Sequence, residues 1–209
     1  MGMNTTSLFP MFLKLEGRNC LVLGAGSVGE QKIRSLLDCG AHIRVVAPFA
    51  SAAVRDWAER GVLRWVQRPF ESADLDGVFL VVAATSSVDV NHAIYHEAQA
   101  RGILCNVVDD PPHCDFYYPA VVRRGQLQIA ISTAGLSPTL AQRIRKQLEG
   151  EFPPAYASWL EELGSRRESL FSAGGDPEHR RRLLHQLATR EAFMEFIRRN
   201  QSESRKEVL

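Results

Sequence analysis

The stretch NCLVLGAGSVG, residues 19–29, decides how this chain is read. Its first half is a short continuous apolar run, the pattern of a strand buried on both faces. Its second half spells GxGxxG through Gly24, Gly26 and Gly29. Residues 28–39 then place Val28, Ile33, Leu36 and Leu37 at helical spacing, and Gly40 stops the run. Strand, glycine turn and helix in this order make the first turn of a dinucleotide-binding βαβ unit. The first glycine permits the sharp bend, the second lets backbone approach a pyrophosphate, and the third lets the helix pack close to its strand. The helix N-terminus offers N–H groups and the positive end of its dipole to the phosphates. Gly24, Gly26, Ser27, Val28 and Gly29 are therefore the expected cofactor cradle.

Working outward, apolar runs at 42–47, 62–66, 78–85 and 103–108 predict further strands, with helical patterns at 51–60 and 88–101 between them. Strands alternating with helices imply a Rossmann-like α/β fold around a parallel sheet. The second strand is expected to end at Pro48. Beyond residue 116 the pattern changes. Residues 120–133 hold two β runs around Arg123-Arg124-Gly125, an antiparallel hairpin. Residues 136–150 form a helix with Ser137 as N-cap and Pro138 at its first position. The remainder is polar and helical. The expected organisation is an NAD-binding Rossmann domain at 1–114, a linking or dimerising module at 115–150 and a small helical domain at 151–209.

The formal net charge of +1 gives no electrostatic case for nucleic acid as a partner. No apolar run reaches membrane-spanning length and the N-terminus does not read as a signal peptide. The four cysteines form no CxxC pair. A cytoplasmic protein with free thiols is the expectation.

An acid usually closes the second strand of such a unit and binds the ribose hydroxyls. This chain has Pro48 and Phe49 there, so ribose contacts are expected from backbone near those residues. No Arg follows at once to hold a 2′-phosphate, which favours NAD over NADP. Ligands in open parallel sheets bind beyond the carboxyl ends of the strands. Two more loops stand there, one with Ala84 and Thr85, the other CNVVDDPPHCDF at 105–116. If strand alternation continues, Val107 and Asp109 share one face while Asp110, held extended by Pro111, takes the other. The two acids are then no coupled dyad, and one of them is the better catalytic candidate. Asn106 is suited to fixing a backbone or cofactor amide. A permanent metal centre is not expected. His113, Cys114 and Asp115 are adjacent and cannot all face one ion. His92 and His96 have i,i+4 spacing but no third ligand at motif spacing, so they read as solvated.

The run LFPMFLKLEGRNCLVLGAGSVGEQKI, the AAT loop, CNVVDDPPHCDFYYPAVVRRGQLQ and ISTAGLSPTLAQRIRKQLE together resemble the precorrin-2 dehydrogenase / sirohydrochlorin ferrochelatase family. The resemblance implies NAD-dependent oxidation of precorrin-2 to sirohydrochlorin. In some members insertion of Fe²⁺ follows. It implies a homodimer formed through 115–150, and it puts the family's key aspartate on Asp109. Thr133 stands where members often carry serine. The substrate's many carboxylates give a purpose to Arg123, Arg124, Arg143, Arg145 and Lys146. Ser132 and Thr133 are placed to bind a propionate. His113 is a weaker candidate for guiding Fe²⁺ in transit. Two alternatives stay open: a non-catalytic NAD-sensing Rossmann module, and a chelatase for Co²⁺ or Ni²⁺ on a related tetrapyrrole.

Overall fold

The structure, a computed structural model, describes residues 7–206. It separates into two compact units, one running through Tyr118 and the other beginning at Pro119. The first unit alternates as the sequence predicts: β1 (Asn19–Ala25), α1 (Ser27–Leu37), β2 (His42–Ala50), α2 (Ala52–Glu59), β3 (Arg64–Val66), β4 (Leu80–Ala83), α3 (Val88–Ala100) and β5 (Leu104–Val107). All strand pairs are parallel and the order is β3-β2-β1-β4-β5. Successive strands build out one way from β1, and then the other way from β4. The carboxyl ends of β1 and β4 therefore bound the topological switch point, where such sheets bind ligands.

The apolar runs become strands because both faces are covered. Val22, Val45 and Val82 pack with Ile33 and Leu36 of α1 and Val54 of α2. Leu21, Leu23, Val81 and Cys105 pack with Ile94 and Ala98 of α3 on the opposite face. Each fully buried Val or Leu contributes about 1.5–3 kcal/mol. Ser51 caps α2 by accepting from the Val54 N–H, and Ser87 caps α3 by accepting from the Val90 N–H.

The end of the second strand departs from expectation. β2 does not end at Pro48 but continues to Ala50. Between Leu23 and Ala25 of β1, the register on β2 jumps from Val46 to Ala50. A bulge absorbs the extra residues, so proline sits where no ladder donor is needed. The Trp65 indole N–H donates to Ala47 O at 2.9 Å and holds the bulged segment. Val28, counted in the expected cofactor cradle, stands 42% exposed at the open end of α1.

The second unit holds β6 (Ala120–Arg124) and β7 (Leu127–Ile131), an antiparallel hairpin turning at Gly125-Gln126. Helices α4 (Pro138–Glu151), α5 (Tyr156–Ser172), α6 (Pro177–Leu187) and α7 (Arg190–Lys206) follow. Ser137 caps α4 through the Leu140 N–H, as its sequence predicts. Trp159, Phe193 and Phe196 form the core of this unit, with Tyr156, Leu163 and Ile197 against it. Among the described residues no helix is long and apolar enough to cross a membrane.

Candidate active site

The glycine turn is a set of close approaches. A Cβ on Gly24 would lie 2.3 Å from the Ala84 carbonyl oxygen, and Gly24 has φ +97°. A Cβ on Gly29 would lie 2.2 Å from Gly24 O. Only glycine allows α1 to pack this close to β1 and to the loop after β4. Gly26 differs: a Cβ there would meet nothing within 4 Å. Its outer side is open, directly before the first-turn amides of Ser27, Val28 and Gly29, which have no intrahelical partners. Two glycines close the turn and one leaves room for a phosphate. The residues present fit a dinucleotide.

The rim of this cradle is ordered by side chains. Thr85 Oγ1 donates to Asn91 Oδ1 at 2.6 Å and accepts from the Ser87 N–H; Asn91 Nδ2 donates back to Thr85 O. Buried Asn91, unmarked in the sequence reading, thus fixes the Ala84–Thr85 loop. Ser51 Oγ donates to Glu30 Oε2 at 2.7 Å, tying the exit of β2 to the first turn of α1. Phe49 stands 85% exposed beside Pro48 at this exit.

The acid loop takes a different course from the one strand alternation predicts. β5 ends at Val107, and Val108 donates to Ala83 O. Asp109 then adopts φ +60°, the left-handed region. A non-glycine residue there costs about 1–3 kcal/mol and marks functional segments. The two acids have separate environments, as expected, but a left-handed turn separates them rather than the pleat of a strand. Asp109 is exposed, beyond the carboxyl end of β5. Its charged neighbour is Lys32 of α1, whose ammonium also lies 3.6 Å over the Tyr118 ring. Burial pulls the Lys32 pKa below its ordinary value, and Asp109 and Cys114 oppose that fall. No local pattern in the sequence marks Lys32.

Asp110 is the hub of a second group. His92 Nε2 lies 2.7 Å and His113 Nδ1 2.8 Å from Asp110 Oδ2. Hydrogen bonds from His113 and then His92 hold the Asp110 carboxyl below its ordinary pKa. His92 is therefore not a freely solvated histidine. Its partner comes from the loop 18 residues on, not from His96, which makes ring contacts to Tyr95 and His113. Cys114 donates its thiol to Val107 O, and burial raises its pKa, so it stays a thiol. Asp115 accepts from the Cys105 N–H at 2.8 Å. Asn106 is 6% exposed and donates its amide to Phe116 O at 2.8 Å, the backbone-fixing role of the two foreseen for it.

In the second unit, Arg124 donates to Phe152 O and Glu149 O and so caps the end of α4. Arg145 pairs with Glu149. Arg123, Arg143 and Lys146 are exposed and enter no ion pair among the described residues. Ser132 Oγ accepts from the Ala134 N–H and Thr133 Oγ1 from the Ser137 N–H, leaving both hydroxyl protons to donate elsewhere.

A doubly wound sheet, a glycine cradle at its switch point and a carboxylate beyond β5 define an NAD(P)-binding Rossmann protein with an appended hairpin and helices. Residues 11–120 match the family model described as "Putative NAD(P)-binding", and residues 124–151 match "Sirohaem biosynthesis protein central". The chain belongs to the family that the first of these models describes. It is 41% identical to a siroheme synthase of Photorhabdus laumondii over 77% of this chain and 34% of that protein. It is 35% identical to siroheme synthase 1 of Aeromonas hydrophila over 95% of this chain and 42% of that one. It thus spans about a third to two fifths of these relatives. Among solved structures, a precorrin-2 dehydrogenase, SirC, superposes with a TM-score of 0.79 at 28% identity, covering 97% of this chain and all of that one.

Proposed function

We propose that the protein oxidises precorrin-2 to sirohydrochlorin with NAD as hydride acceptor, Asp109 serving as general base. One observation carries the reading: Asp109 stands beyond β5, beside the switch point bounded by the glycine cradle, in a left-handed conformation and with a lysine as its charged neighbour. The likeness to SirC over nearly the whole chain supports it.

Bound nicotinamide would accept the hydride. The chain's own residues do the rest. The amides at the start of α1 bind the pyrophosphate, Gly24 and Gly29 keep that helix close, and Asn91 holds the Thr85 loop. Removal of hydride from one ring carbon requires loss of a proton from a neighbouring position, and a carboxylate within hydrogen-bond reach takes it. Exposed Asp109 becomes partly desolvated when a macrocycle covers it, which strengthens it as a base. Arg123, Arg143 and Lys146 supply cations for the substrate's carboxylates, with Ser132 and Thr133 as hydroxyl donors. Homodimerisation through 115–150 belongs to the same proposal. Leu136 and Leu140, 58% and 48% exposed, give that segment apolar surface.

Purified protein given precorrin-2 and NAD is expected to release NADH and develop the sirohydrochlorin spectrum. Asp109→Ala is expected to bind NAD normally and to lose roughly 100- to 10,000-fold in turnover. A folded wild type that binds NAD but leaves precorrin-2 unchanged would favour the sensing module instead. Insertion of Fe²⁺ is a second reading, favoured by the two imidazoles gathered on the residue next to Asp109.

A further inference from the structure

We propose that His92, Asp110 and His113 form a binding site for one divalent first-row transition-metal ion. Three donor atoms, His92 Nε2, Asp110 Oδ2 and His113 Nδ1, all lie within 4.8 Å of one another. They come from two elements: His92 from α3, the other two from the loop whose prolines start a 3₁₀ turn at Pro111–His113. The imidazole rings stack at 4.1 Å between centroids, so both nitrogens aim at one carboxylate oxygen. Tyr95 packs edge-on against His113 at 4.9 Å and steadies that ring.

The geometry is close to what a metal needs. Ligand bonds of about 2 Å in a tetrahedral arrangement put donor atoms roughly 3.3 Å apart. The two nitrogen–oxygen separations, 2.7 and 2.8 Å, need to open by about half an ångström. Small side-chain rotations accomplish that, and the proton each imidazole shares with Asp110 moves to its other ring nitrogen, freeing His92 Nε2 and His113 Nδ1 to ligate. The three side chains keep 35%, 25% and 24% of their surface exposed. Three protein ligands with one side open to solvent is the arrangement of a site that exchanges its metal, not of a closed structural centre. Two imidazoles and one carboxylate suit Fe²⁺, Co²⁺, Ni²⁺ or Zn²⁺ and are a poor set for Mg²⁺ or Ca²⁺.

Occupation has a structural consequence. Asp109 lies between Val108, bonded to β4, and Asp110, a ligand. A metal bridging Asp110 to α3 clamps both ends of the left-handed turn. Binding itself does not depend on the tetrapyrrole chemistry; failure of the dehydrogenase reading leaves it standing.

The probe is Co²⁺, titrated into the purified full chain and followed by visible absorption, with thermal unfolding in parallel. One equivalent is expected to give the intense bands of a four- or five-coordinate ion and to raise Tm. Zn²⁺ should displace it and Mg²⁺ should not. His92→Gln, His113→Leu and Asp110→Asn are each expected to weaken binding on the order of 100-fold or more, a ligand counting for at least as much as an outer-shell partner. His96→Gln should bind as wild type. Circular dichroism of each variant separates loss of a ligand from loss of fold, and Asp110→Asn keeps an oxygen in place for the two histidines. Absence of a stoichiometric band in wild type overturns the proposal. So does a band that survives in folded His92→Gln and His113→Leu but disappears in the surface variants His179→Gln or His185→Gln.

Discussion

The glycine turn and the acid loop lie at the same end of the sheet and solve the same problem in opposite ways. Each must turn the chain sharply beyond a strand. At Gly24 the left-handed conformation falls to the one residue that adopts it freely, and the neighbouring backbone fills the space a side chain would take. At Asp109 the left-handed position carries a charged side chain, and the flanking residues hold the strain: Val108 bonded to β4, Asp110 to two histidines, Cys114 to Val107 O. One turn is made by composition, the other by surrounding contacts. A cradle for a ligand common to many enzymes needs only backbone. The base proposed here has to be a side chain, wherever the backbone puts it.

The largest test of that contrast is Gly24→Ala. A methyl 2.3 Å from a carbonyl, in a left-handed residue, combines overpacking with backbone strain. A loss of about 4 kcal/mol is expected, read as a fall in the chemical-denaturation midpoint, with dinucleotide binding abolished. A stable Gly24→Ala protein would break the comparison at its first term.

Next in size is a carboxylate with no part in either turn. Asp74 is 3% exposed and bonded at 2.8 Å by both terminal nitrogens of Arg68. Burial pushes its carboxyl up, but Arg68, the Glu71 N–H and Arg44 outweigh that and hold it below its ordinary value. A carboxyl depressed in the folded state contributes stability above its unfolded pKa, about 4. That contribution is lost as pH falls through the lower folded value. Asp74→Asn is expected to cost about 2 kcal/mol at neutral pH and to flatten the acid limb of stability against pH. An unchanged acid limb would show that the pair contributes nothing.

Smaller, and opposite in sign, is Asp109→Gly. Relief of the left-handed strain is expected to raise stability by up to about 1 kcal/mol while removing turnover. If the substitution destabilises instead, the strain assigned to that turn is wrong. Smallest in stability is Gly26→Ala, within about 0.5 kcal/mol by thermal unfolding, because its Cβ meets nothing. Its effect should appear in dinucleotide affinity alone, measured by NADH fluorescence titration.

The same contrast explains what could be read in advance. The glycine turn, the alternation of elements and the Ser137–Pro138 start of α4 were legible because each depends on residues close together in sequence. Pro48 misled, because the rule against proline in a strand holds for a regular ladder and β2 is bulged there. The acid loop was half legible. Alternation correctly kept Asp109 and Asp110 apart, for the wrong geometric reason, since no pattern announces a left-handed aspartate. Lys32 beside Asp109, and His92 beside Asp110, belong to helices packed on opposite faces of the sheet. Only the folded sheet brings them to the loop.

The stretch after the acids turns back along β5. Cys114 bridges Asn106, and Asp115 exchanges bonds with Cys105, its own N–H going to the carbonyl and its carboxylate receiving the amide. β5 is an outermost strand, and outermost strands expose unpaired amides that recruit other chains into aggregates. This edge is already sealed by its own loop, with a charged residue at the seal. The stretch that carries the acids therefore also guards the sheet against strand addition, and a deletion chosen to simplify the chemistry would open the protein to self-association.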